Sequence, residues 1–245
     1  MLKPQYLAYP KSIDLGFSTR EGGQSTTPFH GLNMSTSRGD LIEHVAANRK
    51  LFMAQFNAHE SQLAQPIQIS QDQVEIVTTP GLYPACDALI TETPGIYLSV
   101  LTADCSPILI WSEEYPVVAA VHSGWQGSEL DILGKTLERM LDSYSITPAA
   151  ISMVIGPGLS PENFKVGPEF SEKFQTEYLL KTAGGDRFYF DNNRYLKDTA
   201  MHHGIPADQI EILPYCSYRD DTLFFSHRRD QGITGRMMSV IGIQT

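Results

Sequence analysis

The 245-residue chain reads as an α/β fold built as one domain, residues 1–245, and three observations carry that reading. The first is the stretch 98–127. It opens on an apolar segment ending in Thr102-Ala103-Asp104-Cys105, runs on through the apolar residues 107–111 and, after a short polar turn, 117–121, and closes in His122-Ser123-Gly124-Trp125-Gln126-Gly127. Short apolar runs bounded by turn residues are strands buried on both faces. The second is the segment after Gly127, where Leu130, Leu133, Leu137, Leu141 and Tyr144 recur with the period of a helix behind a capping box at Ser128 and Asp131. Strand, glycine turn and capped helix in succession belong to a domain that covers a sheet with helices. The third is the lack of any internal repeat, low-complexity tract or linker.

The other elements follow in order. Residues 13–18 form a strand ending at Thr19-Arg20, and Glu21-Gly22-Gly23-Gln24 opens a polar loop. Asp40 caps a helix whose buried stripe is Leu41, Ile42, Val45, Leu51, Phe52 and Phe56, with Asn48 and Arg49 on its solvated face. Strands are expected within 66–77, at Ala88-Leu89-Ile90, over 149–155, over 210–213 and over 239–243. Pro168 starts a helix that buries Phe170 and Phe174, and Asp191 caps another that stops near Gly204.

Composition narrows the function. Hydrophobic residues make up 42% of the chain, ample for a core, and the net charge of −10 argues against a nucleic-acid partner. The longest apolar runs fall far short of a membrane span, the N-terminus lacks a secretory core, and three cysteines in a chain of this length fit a reduced, cytoplasmic protein. A monomer or small homo-oligomer acting on a small molecule is expected.

Reactive side chains gather at the strand ends. Neighbouring strands are expected to bring Cys105 and His122 together, with Asp104 and Asp87 as nearby acids. Such a pair is also the core of a cysteine hydrolase, with the amides of 124–127 facing an oxyanion. Arg20 with Gly22 and Gly23 reads either as a surface loop or as an anion cradle. Arg228, Arg229 and Arg236, three arginines in nine residues, read either as an ion-pair network with Asp230 or as a phosphate site. The seven histidines show no sets of the kind a multicopper centre needs, so copper is not expected.

Taken together, the motifs resemble a known family. Phe17-Ser18-Thr19-Arg20 with Gly22-Gly23, Leu32-Asn33, Asn48-Arg49, Asp87-Ala88-Leu89-Ile90-Thr91, Thr102-Ala103-Asp104-Cys105, His122 with Gly124-Trp125, Gly156-Pro157, Val166-Gly167-Pro168-Glu169, Phe224-Phe225-Ser226 with Arg228-Arg229, and Thr234-Gly235-Arg236 occur in the order seen in laccase-domain proteins. These are also called multicopper polyphenol oxidoreductases or purine nucleoside phosphorylases. The resemblance implies mixed β-sheets sandwiched between helices, similar to the deamidase core of cytotoxic necrotizing factors. It implies phosphorolysis of purine nucleosides, with adenosine deamination, on a purine nucleoside and phosphate. It implies Arg20, Gly22, Gly23, Asn33, Arg49, Arg228, Arg229 and Arg236 around the substrate and phosphate, and Cys105, His122, Asp104 and Asp87 at the chemistry. It also implies one zinc held by two His and one Cys, of which Cys105 and His122 match. Three positions depart from the pattern: Ser70 stands where the third ligand, a His, is usual, Gln126 where an Arg is usual, and Asn163 where a Cys is usual. A zinc site so altered is expected to be weak, with Cys86 as a conceivable substitute thiolate. The same departures fit a catalytically silent family member.

Overall fold

The computed structural model describes residues 1–185 and 187–245. Strands β1 (Ile13–Phe17), β14 (Met237–Ile243), β6 (Tyr97–Thr102), β2 (Leu63–Ile67) and β4 (Gly81–Pro84) lie side by side in that order in a five-stranded mixed sheet. A six-stranded mixed sheet runs β13 (Ile210–Ile212), β9 (Ile151–Ile155), β7 (Ser106–Ser112), β8 (Val118–Ser123), β5 (Ala88–Thr91) and β3 (Val74–Ile76). A small third sheet joins β10 (Lys165–Val166), β12 (Phe188–Phe190) and β11 (Leu179–Lys181). The helices are α1 (Ile42–Met53), α2 (Trp125–Glu129), α3 (Ile132–Tyr144) and α4 (Asn192–His202).

The two large sheets stack, and the alternation of side chains along each strand decides what goes where. Leu109 and Trp111 of β7 point into the layer between the sheets with Leu15, Leu98 and Val100. Ile108 and Ile110 point the other way, against Leu133, Leu137 and Met140 of α3 and Leu196 and Ala200 of α4. On the far side, Phe52 and Met53 of α1 pack on Tyr97, Met238 and Val240. The architecture is therefore mixed sheets between helices, as the sequence led one to expect. Among the described residues no helix is long and apolar enough to cross a membrane.

Three local expectations need correction. Helix α1 begins one residue later than a cap at Asp40 requires: Leu41 is its N-cap, and Leu41, Ile42 and Leu51 are exposed while Val45, Asn48, Phe52 and Met53 are buried. Asp40 bonds Ser25, Asn33 and the Leu41 amide instead. The helix after Gly127 is broken in two. Asp131, in a left-handed conformation, caps α3 by accepting the Gly134 N–H, whereas Ser128 lies inside α2 and donates to Asn192. Residues Pro168–Glu172 form a 3₁₀ turn, although Phe170 and Phe174 are buried as anticipated. Asp191 does cap α4 by accepting the Arg194 N–H.

Candidate active site

Strands β7 and β8 pair antiparallel with Pro107 opposite His122 and Ser106 opposite Ser123. That register sets Cys105, just before β7, beside the end of β8, where the chain turns through Gly124. A Cβ on Gly124 would stand 2.9 Å from the Cys105 sulfur, so only glycine lets the turn close over the thiol. Cys105 and His122 line the same cavity, near enough for the sulfur to strengthen the ring's hold on a proton. The seventeen-residue separation in sequence thus closes to neighbouring positions on one cavity wall.

Asp87 completes the arrangement. Its buried carboxylate meets His122 Nδ1 at 2.7 Å and accepts backbone N–H groups from Ile69 at 3.1 Å, Ser70 at 3.0 Å and Gln71 at 2.8 Å. Burial alone would raise the Asp87 carboxyl, but the His122 bond and the amide donors hold it below the usual carboxylate range. Burial likewise works against a charged His122, yet the Cys105 sulfur and Asp87 outweigh it and push the imidazole up to about 9. With Nδ1 taken by Asp87, Nε2 is the nitrogen left for the thiol and the cavity.

That cavity, of about 870 Å³, is lined at its floor by Cys105, His122, Asp104 and Ser70. Its mouth is apolar: Ile42, Ile67 and Leu82 line it and are exposed. Trp125 and Phe164 add aromatic wall. Arg38, Arg49, Arg228 and Arg236 bring cations to it.

The remaining residues singled out in the sequence sort clearly. Arg20 does not line the cavity; it stacks on Phe225 at 4.7 Å and donates to the carbonyls of Asp221 and His30. Gly22 and Gly23 do not line it either. Arg229 pairs with Asp230 at 2.9 Å, which is the ion-pair reading of that cluster. Arg228 lines the cavity but donates to the carbonyls of Asn163 and Lys165, and Arg49 pairs with Glu60 at 3.1 Å. Asp104 uses its carboxylate to accept the Ser217 hydroxyl and the Arg228 N–H, which ties the 226–228 loop to the floor. Asn33 and Asn48 are fully buried connectors behind the wall, not cavity residues. Sequence reasoning missed Arg38, which sits in a Ser- and Gly-rich turn without any charge cluster to mark it.

The residues present do not make a zinc site. Catalytic zinc takes three protein donors and keeps a fourth position open. Here Cys105 and His122 supply two, Ser70 offers a neutral hydroxyl, and Asp87 is turned onto His122 and three amides. Among the described residues no group of three His, Cys, Asp or Glu side chains is close enough to hold a metal. Cys86 is buried in the layer between the sheets, donates to the Tyr83 carbonyl, and burial pushes its thiol up to about 11, so it does not reach the cavity as a thiolate. Ser70 already has the left-handed φ of 58°, which His tolerates better than most residues. Ser70→His is therefore expected to raise zinc from well below one per chain to about one, read by elemental analysis after purification with zinc and desalting. No gain would mean that position 70 lies out of reach of Cys105 and His122.

With this geometry in place, comparison with known proteins is decisive. Residues 14–244 match the family described as multi-copper polyphenol oxidoreductase laccase. The chain belongs to that family. Laccase-family relatives align end to end with it. A Deinococcus radiodurans protein named purine nucleoside phosphorylase is 34% identical, over 99% of this chain and 92% of its own length. The Escherichia coli protein named purine nucleoside phosphorylase YfiH is 32% identical over 98% of both. Among solved structures, YlmD from Geobacillus stearothermophilus superposes with a TM-score of 0.92 at 26% identity, covering 96% of this chain and 93% of that one. A Bacillus licheniformis protein titled YfiH gives 0.90 at 30% identity, covering 95% and 93%.

Proposed function

We propose that this laccase-family protein is a purine nucleoside phosphorylase. The observation that carries the reading is one cavity that joins an Asp87–His122–Cys105 chain at its floor to unpaired cations on its wall and an apolar mouth. The relatives' names point the same way. In this reading a phosphate oxygen attacks C1′ of the ribose, the C1′–N9 bond breaks with its electron pair going to the base, and His122 delivers a proton to the departing purine. Asp87 is a positioning residue: it fixes the ring and keeps it charged. The apolar mouth and Trp125 suit the flat face of a purine. No step passes through a metal, and for that reason the proposal does not extend to deamination, which needs an activated water.

Release of hypoxanthine from inosine, followed with and without inorganic phosphate, tests it. Base release that requires phosphate and consumes one phosphate per base is expected. Equal release without phosphate, or none at all, sinks the reading.

A second reading rests on the same triad. Cys105, His122 and Asp87 stand in the order of a thiol hydrolase. Rapid burst acylation of Cys105 by an activated ester, in a protein inert towards nucleosides, would favour it over the first.

A further inference from the structure

Arg38 and Arg236 are nearly two hundred residues apart in sequence, yet one buried side chain assembles them. The Asn33 carboxamide oxygen accepts the Arg236 N–H at 2.8 Å and the Ser35 N–H at 3.1 Å. Its nitrogen donates to the Ser35 carbonyl and to Asp40, both at 2.8 Å. The Met34 N–H closes the link by donating to the Arg236 carbonyl at 3.0 Å. The turn that carries Arg38 is fixed by Ser37 N–H to Ser35 Oγ at 3.1 Å and Gly39 N–H to the Thr36 carbonyl at 3.0 Å. Gly235 has no room for a side chain: a Cβ there would lie 2.8 Å from the Phe225 ring and 2.9 Å from Asn33 Oδ1. Both arginines thus line the cavity from hydrogen-bonded backbone.

Neither has a carboxylate. Among the described residues Arg38 makes no ion pair or side-chain hydrogen bond, and the Arg236 guanidinium donates only through Nη1, to the carbonyls of Thr234 and Gly235. The two acids on the wall are engaged elsewhere, Glu60 by Arg49 and Asp104 by Ser217 and Arg228. Burial and the charge of Arg38 both weaken protonation of Arg236, opposed only by Cys105 and Asp104. Two cations that share one cavity wall repel, and an anion between them turns that repulsion into attraction. The free N–H edges are those that bind a phosphoryl group through paired hydrogen bonds.

We propose that Arg38 and Arg236 form a clamp for a dianionic phosphoryl group beside Cys105, assembled by Asn33. The clamp deepens the phosphorylase reading and rests on it for one point, that the anion is the free co-substrate rather than a phosphate ester on the nucleoside. Arg38, exposed and unbonded, is the residue that sets affinity for it.

Calorimetric titration of the full chain with inorganic phosphate, and separately with adenosine and adenosine 5′-monophosphate, tests the clamp. Arg38→Met is expected to weaken phosphate binding about tenfold or more, and Arg38→Lys to weaken it less, because a point charge keeps attraction but loses the fork. Melting temperature should not move, since Arg38 is exposed. Arg236→Met should match the loss, and if that variant does not fold, Arg38→Met decides alone. Phosphate binding with no preference for the monophosphate over adenosine assigns the clamp to free phosphate. A preference of tenfold or more for the monophosphate, erased by Arg38→Met, assigns it to an ester. No binding of either anion by the unaltered protein, or binding within twofold in Arg38→Met, overturns it. Phosphate bound through Arg38 without phosphate-dependent base release would end the phosphorylase reading and leave the clamp. Phosphate-dependent release with an unchanged KM for phosphate in Arg38→Met would do the reverse.

Discussion

Asp87→Asn is expected to lower kcat by about 10²–10⁴-fold while KM for the nucleoside changes little, because it removes the group that orients and charges His122 without touching the cavity wall. The carboxylate accepts from four donors at once. A carboxamide of the same shape has one oxygen to offer them, and its NH₂ must face either another N–H or the imidazole. Burying a donor against a donor costs about 1–3 kcal/mol, so the variant should also lose stability by about that amount. The pH dependence should report the same link. His122 titrates at about 9 in the folded protein against an ordinary value of 6.5. Its folded value is the higher one, so the folded state holds the proton more tightly. The stabilisation is complete below pH about 6.5 and is lost as pH rises through about 9, amounting to about 3 kcal/mol. Urea unfolding from pH 6 to pH 10 should show stability falling over that window, and Asp87→Asn should make the fall shallower, the remainder being due to the Cys105 sulfur. A slope unchanged by the substitution would show that Asp87 is not what holds the imidazole. Activity of the unaltered enzyme should decline through the same window as the imidazolium is lost.

Asn48→Leu is expected to destabilise the protein by about 3–4 kcal/mol, lowering the melting temperature by about 10 °C, with little direct effect on the chemistry. Asn48 lies on the inner face of α1, fully buried. Its oxygen accepts the Gln24 N–H at 2.7 Å, and its nitrogen donates to the Asn33 carbonyl at 2.8 Å and the Ser25 hydroxyl at 2.9 Å. One side chain therefore pairs backbone groups at both ends of the 24–33 loop and ties them to the helix. Leucine fills the space and leaves the Gln24 N–H and the Asn33 carbonyl without their Asn48 partner in a dry setting, while the Ser25 hydroxyl keeps only Asp40. Thermal unfolding of Asn48→Leu beside Asn48→Asp separates lost hydrogen bonds from lost volume, and a melting temperature within about 2 °C of the unaltered protein would contradict the account.

Asn48 also shows where reading from sequence fails. At its position a helix stripe drawn from apolar residues alone turns the asparagine outward and Leu41, Ile42 and Leu51 inward. The fold does the opposite, because the 24–33 loop presents the Gln24 N–H and the Gly31 and Asn33 carbonyls to that face. Period describes a helix by what its residues prefer; it is blind to a loop arriving from elsewhere with donors and acceptors to pair. The break between α2 and α3 was missed for a related reason: Asp131 adopts a left-handed conformation, and the short capping residues there fit one long helix as well as two short ones.

What the sequence by itself determined is the centre of the protein. Strand-length apolar runs with alternating faces dictated β7 and β8. Their ends carried Cys105 and His122, and an antiparallel pair joined by a short turn leaves those ends no choice but to meet. Only the tertiary structure decided which cations serve the site. Arg20, Arg229 and Arg236 are indistinguishable as letters, and Arg38 stood alone. Each was sorted by partners far along the chain, the ring of Phe225, the carboxylate of Asp230, the carboxamide of Asn33. The register of the β7–β8 hairpin is settled by a turn of a few residues, whereas a guanidinium's role depends on which distant acceptor folding leaves within its reach.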